Sequence, residues 1–188
     1  MTITIKTLAA ASALALLGVG AIPASAAVIV HEHFVDSGSE PFTFCPGITA
    51  EVSWNDRVHE LIRSKGKHGL VYFKANVHGT TVFTNLDTGG TYTNTYNFVD
   101  RDLKVVDNGD GTLTITIASS GSFKWFDADG NRVLKGSGAF RAQLTVDHGG
   151  TPTDPSDDVE LDFVIVKEAG MDQTLGRDFC EDLALFTT

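Results

Sequence analysis

The chain has 188 residues, with 14 Lys and Arg against 24 Asp and Glu and a formal net charge of −10 at pH 7. That length suits one domain with a real core. The acidic balance lacks the bulk basic footprint that nucleic acid or an anionic membrane requires of a partner.

Residues 1–26 read as an export signal. Lys6 supplies the positive start, and Leu8 to Val19 form an uncharged Ala/Leu-rich run. The run is shorter than the roughly 20 residues needed to cross a bilayer. Pro23 then precedes Ala24-Ser25-Ala26, the small-x-small pattern of a signal-peptidase site, which places the cut between Ala26 and Ala27. The expectation is a secreted, extracellular domain at 27–188, not embedded in a membrane. Ala27, rather than Cys, at its start argues against a lipid anchor. Without the leader, 162 residues carry 13 basic and 24 acidic side chains, a net charge of about −11.

The first expected strand is Val28–Phe34, which contains His31-Glu32-His33. Residues two apart in a strand share a side, so two imidazoles meet there. His59, His68, His78 and His148 lie at no ligand-like spacing from them. The pair therefore reads as a polar strand face near a terminus, with no metal or other cofactor expected. Cys45 follows, before the turn residues Pro46-Gly47, and the one other cysteine is Cys180. In an exported chain two thiols pair, and no Cys-x-x-Cys pattern marks either as reactive. A Cys45–Cys180 bridge would remove roughly 5 kcal/mol of unfolded-state freedom on the loop-closure account.

Downstream, strands alternate with turns. The further expected strands are Ile48–Trp54, Val58–Ile62, Leu70–Val77, Thr80–Asn85, Tyr92–Val99 and Leu103–Val106. Thr112–Ala118, Phe123–Phe126, Arg132–Leu134, Ala139–Val146 and Val159–Val166 complete the set. Period-two patterning supports them, as in Val71, Phe73, Ala75 and Val77 alternating with polar neighbours. Asp87-Thr88-Gly89-Gly90, Asn108-Gly109-Asp110-Gly111 and Asp129-Gly130-Asn131 supply hairpin turns. Gly79 and Gly136-Ser137-Gly138 read as breaks or bulges that merge neighbouring segments. Gly149 to Asp157 is the one long polar loop, and Asp178 to Leu185 reads as a short helical turn or strand held by Cys180. Successive hairpins argue for an all-β fold: a single antiparallel β-barrel of about 8–10 strands, with a β-sandwich as the alternative.

The order of several elements resembles a group of small secreted actinobacterial proteins with no assigned activity. The matching pieces are Phe34-x-Asp36 with Cys45, Thr84-Asn85-x-x-Thr88-Gly89, Asn108-Gly109-Asp110-Gly111-Thr112, Asp127-x-x-Gly130, and Gly136 or Gly138. The resemblance implies export and a β-barrel-like domain, and it carries over no catalytic residue. The chain departs from the pattern at Pro46, where a glycine usually follows the cysteine.

Motifs for chemistry are sparse. Asp154, Asp157, Asp158, Glu160 and Asp162 cluster without calcium-loop spacing and read as solvated turn and strand positions. There is no Gly-x-Ser-x-Gly elbow, and Ser119-Ser120-Gly121-Ser122 reads as a bend. Glu51 with Glu60, or Asp100 with Asp102, are carboxylate pairs that any acidic chain offers. The aromatic set Tyr72, Phe73, Phe83, Tyr92, Tyr96, Phe98, Phe123, Trp125, Phe126 and Phe140 would fill a barrel or line a cavity in it. The expected function is a non-enzymatic extracellular binding or structural module, with a small apolar ligand inside the barrel. The rival is a barrel-type hydrolase or cyclase with a His or carboxylate in an internal cavity.

Overall fold

The computed structural model describes residues 27–188; the export signal expected at 1–26, with its expected cut after Ala26, lies outside them. Seven strands follow one another in a single antiparallel sheet, each paired with its sequence neighbours. They are β1 (Val28–Phe42), β2 (Ala50–Lys65), β3 (Leu70–Asn85), β4 (Thr91–Asp107), β5 (Thr112–Phe126), β6 (Arg132–Asp147) and β7 (Val159–Asp172). A 3-10 turn, Pro155–Asp157, interrupts the β6–β7 loop, and helix α1 (Phe179–Phe186) ends the chain.

The hairpins form where turn chemistry placed them. Gly109 and Gly130 take positive φ of 76° and 81°, a backbone state that glycine adopts without steric cost. An aspartate pins each turn: Asp107 accepts from the Gly109 amide at 2.8 Å, and Asp127 from the Asn131 amide at 2.7 Å. Fewer, longer strands replace the twelve short segments. Neighbouring segments merge as expected, so Gly79 and Gly136–Gly138 lie inside long strands, but the register runs through them without the expected bulge. A Cβ on Gly136 would enter the Phe123 ring, and one on Gly121 would meet the Asn97 carbonyl and Phe98. These positions are glycine because cross-strand groups occupy the space above them.

Directly opposed residues share a face, so the ladders assign side chains across the sheet. One face, called here the helix face, carries Phe83, Trp125 and Leu134 at one end and Ile115, Leu113 and Val146 at the other. Cys45, Ala50, Tyr92 and Leu183 form the first buried cluster, with Phe42, Phe83, Trp125, Phe179 and Phe186 packed round it. Tyr92 stacks on Trp125 with centroids 4.4 Å apart and on Phe186 at 5.4 Å. Val105, Leu113 and Val146 form the second cluster. Asp178 caps α1 by accepting from the Cys180 and Glu181 amides. Cys45 and Cys180 are joined in a disulfide, as expected. The buried Asp182 pairs with Arg177, and Thr187, fully buried, receives a 3.1 Å bond from Asn85.

The expected closed barrel of 8–10 strands is not formed. β1 and β7 are the two edges of an open seven-stranded sheet. A run of hairpins fixes neighbours but not closure, which needs a further ladder between the first and last strands. Bulges between Arg141/Ala142 and Thr145/Val146 re-aim β7. Glu160, Asp162, Lys167, Glu168 and Asp172 put charges along that edge strand, between exposed apolar residues such as Leu161 and Phe163 to Val166. The lumen that would enclose a small apolar ligand is therefore missing. A sheet with a helix layered over one end stands nearer to the sandwich alternative.

Candidate functional site

The face opposite α1, the open face, differs in chemistry from the helix face. Three cross-strand rows cover its centre. Val35, Arg57, His78, Asn97, Ser122, Ser137 and Met171 make one; His33, His59, Asn76, Val99, Ser120, Ala139 and Ala169 make the next. The third runs Leu61, Lys74, Arg101, Ala118, Arg141 and Lys167, with His31 opposite Leu61 at its β1 end. These rows contain no acid. Lys74 stands directly opposite Arg101, and Arg141 opposite Lys167. On the row beyond Arg57, Lys124 stands opposite Lys135.

The facing rows of the helix face carry acids instead. Glu32 opposes Glu60, and Asp36 opposes Asp56. Asp100 shares that face, and the Tyr96 hydroxyl donates to Asp56 at 2.6 Å. Burial and that bond push the Tyr96 hydroxyl up to about 12. Like charges directly opposed cost stability, and both faces bear them without ion-pair relief. The Arg177–Asp182 pair, far from these rows in the chain, is the salt bridge among the described residues.

The three histidines at the β1–β2 ladder make the tightest group on the open face. The register sets His33 opposite His59, and the strand period puts His31 beside them. The His33 and His59 rings stack with centroids 4.0 Å apart. Nε2 of His31 lies 3.0 Å from Nε2 of His59, and a ligating nitrogen from each of the three falls within 4.8 Å of the others. Partial burial, then His33, His31 and Lys74, lower the His59 pKa. A shallow depression of about 320 Å³ adjoins them, lined by His33, Arg57, His59, Asn76, His78, Asn97, Phe98 and Val99.

The remaining sequence candidates scatter. His148 is buried in the β6–β7 loop, where its Nδ1 accepts from the Gly150 amide. Asp154 caps the 3-10 turn and Asp157 accepts from the Thr151 hydroxyl, so these acids hold the loop. Glu51 and Glu60 project from opposite faces of β2. Asp102 is the carboxyl most strongly raised, to about 6, mainly by burial. Its oxygen accepts from the Phe73 amide at 2.7 Å where the β3–β4 ladder stops at Lys74↔Arg101. The Tyr72 hydroxyl does the same for the Val105 amide at 3.2 Å. Both side chains complete a splayed ladder and belong to the fold.

Sequence reading missed His59 as a partner because it meets His33 through register alone, with 25 residues between them in the chain. It also missed the division of charge, since net charge averages the two faces. A count of charge by strand parity would have exposed that division. The chain matches no family model, no curated protein and no solved structure.

Proposed function

We propose that the chain is an exported, non-enzymatic binding module that takes an acidic polysaccharide on its open face. The observation that supports this reading is the set of opposed cation pairs, Lys74↔Arg101, Lys124↔Lys135 and Arg141↔Lys167, on a face whose central rows hold no acid. Each pair is a local penalty that an anion laid across the strands would remove. Strands about 4.8 Å apart set these cations out as a broad array suited to a repeating anion. Between them stand Asn55, Thr80, Thr95, Asn97, Ser122 and Ser137, donors and acceptors for sugar hydroxyls. The central rows offer no exposed aromatic ring for base stacking, which argues against single-stranded nucleic acid. Acids on the helix face and turns keep the chain at a net charge of −10, so attraction is local and short in range.

Retention on an immobilised sulfated or carboxylated polysaccharide, against a neutral dextran, tests the reading. Wild type is expected to bind the charged matrices alone, with affinity falling steeply as salt rises. Arg101→Glu with Arg141→Glu is expected to weaken binding by roughly tenfold or more. Equal retention of this variant, or binding to dextran, would overturn the proposal.

A further inference from the structure

We propose that His31, His33 and His59 form a binding site for one divalent late transition metal ion of the Zn²⁺ or Cu²⁺ class. The inference stands apart from the polysaccharide reading and rests on the geometry of the β1–β2 ladder. Neutral imidazole is a borderline ligand, well suited to these ions and poorly suited to calcium or magnesium, which want oxygen. The class of ion follows from the donor set, because no carboxylate shares this part of the open face.

The distances favour one shared ion over three independent side chains. Two nitrogens bound about 2.0–2.1 Å from one ion stand about 2.9–3.3 Å apart for bond angles between square and tetrahedral. His31 and His59 already present Nε2 atoms 3.0 Å apart. The third ligand atom lies within 4.8 Å of both, and the exposed His33 would rotate out of its stack on His59 to close that gap. Two ligands come from one strand at i and i+2, and the third from the facing residue of the next strand. The sheet therefore fixes all three Cβ positions, and only ring torsions remain to be set.

The surroundings shape the site further. Arg57 lies in the row next to His33 and His59, and Lys74 next to His59 across β3. His78 on β3 and Arg101 on β4 are the next basic side chains across the strands. Such neighbours weaken any cation but also favour neutral imidazoles, the form that ligates. Three protein ligands leave at least one position open, and the depression beside His33 and His59 is where that position would face.

Calorimetric titration of the tag-free chain with ZnCl₂, and separately with CuCl₂, tests the site. One equivalent of ion is expected to bind, with the imidazole resonances of His31, His33 and His59 shifting together in NMR spectra. His59→Asn and His33→Asn are each expected to lower affinity by roughly 100-fold, and His78→Asn to leave it within about threefold. Circular dichroism of each variant shows whether the sheet is intact. All three histidines are on the surface ladder, so intact spectra are expected. Absence of binding by both ions would overturn the proposal. So would binding that survives His33→Asn combined with His59→Asn, which would place the ion elsewhere. Neither result touches the polysaccharide assay, which is run without added metal.

Discussion

The two faces of this sheet are made from the same strands, residue by alternate residue, yet they answer to different demands. The helix face holds both apolar clusters, the strand-interior glycines with the rings over them, and the opposed acids. Across its central rows the open face is polar and cationic, and it tolerates opposed lysines and arginines. The contrast separates the side chains that hold the fold from those free to meet a partner. Substitutions on the helix face should cost stability; those on the open face should cost binding and spare stability.

The largest test of that division removes the clasp beneath α1. Cys45→Ser with Cys180→Ser is expected to destabilise the protein by up to about 5 kcal/mol, measured by urea unfolding. Next comes Leu183→Ala, where a side chain of 0% exposure leaves a void against Tyr92 and Cys45. A loss of about 3 kcal/mol is expected from the same measurement. A loss below about 1 kcal/mol would show that α1 contributes little to the helix face.

Asp102 gives an effect of opposite sign. Its folded pKa of about 6 lies above the ordinary 3.8, so its contribution to stability is complete below about pH 4 and is lost as pH rises towards 6. The shift corresponds to roughly 2 kcal/mol after allowance for partial exposure. Asp102→Asn keeps an acceptor for the Phe73 amide. The difference in unfolding free energy, variant minus wild type, should therefore grow in the variant's favour between pH 4 and pH 7. A flat difference would refute the assignment. Smallest of all, Arg141→Glu turns the pair with Lys167 into one of opposite sign. It is expected to leave stability unchanged or raise it by about 0.5 kcal/mol, while weakening polysaccharide retention by less than the double variant does.

Much of this fold was readable in the chain because it is local. The Asn108–Gly111 and Asp129–Asn131 turns, the period-two strands and the Cys45–Cys180 pair depend on short motifs or on there being two cysteines. The strand-interior glycines were expected as bulges, because a glycine that kinks a strand and one that makes room for Phe123 look alike in one dimension. Closure was illegible for a related reason. Every hairpin in a barrel is also a hairpin in an open sheet, and the deciding contact would join residues more than 100 positions apart. The histidine trio falls between these cases. His31 and His33 declare themselves by spacing, whereas His59 arrives only when β1 and β2 align.

The disulfide has a mechanical consequence. Cys45 follows the first edge strand and Cys180 follows the last, so the covalent graph is a ring drawn across a sheet whose hydrogen bonds have two loose ends. Tension applied at the two ends of the chain would pass through the sulfurs and bypass β2 to β7 altogether. Among the strands only β1 lies outside the ring, as do residues 181–188 beyond Cys180, and β1 would unzip from β2 one rung at a time. A protease that nicked any hairpin between Cys45 and Cys180 would likewise release no fragment. The strand left to peel is the one that carries His31 and His33, so an ion held there would rivet the one strand the ring does not protect.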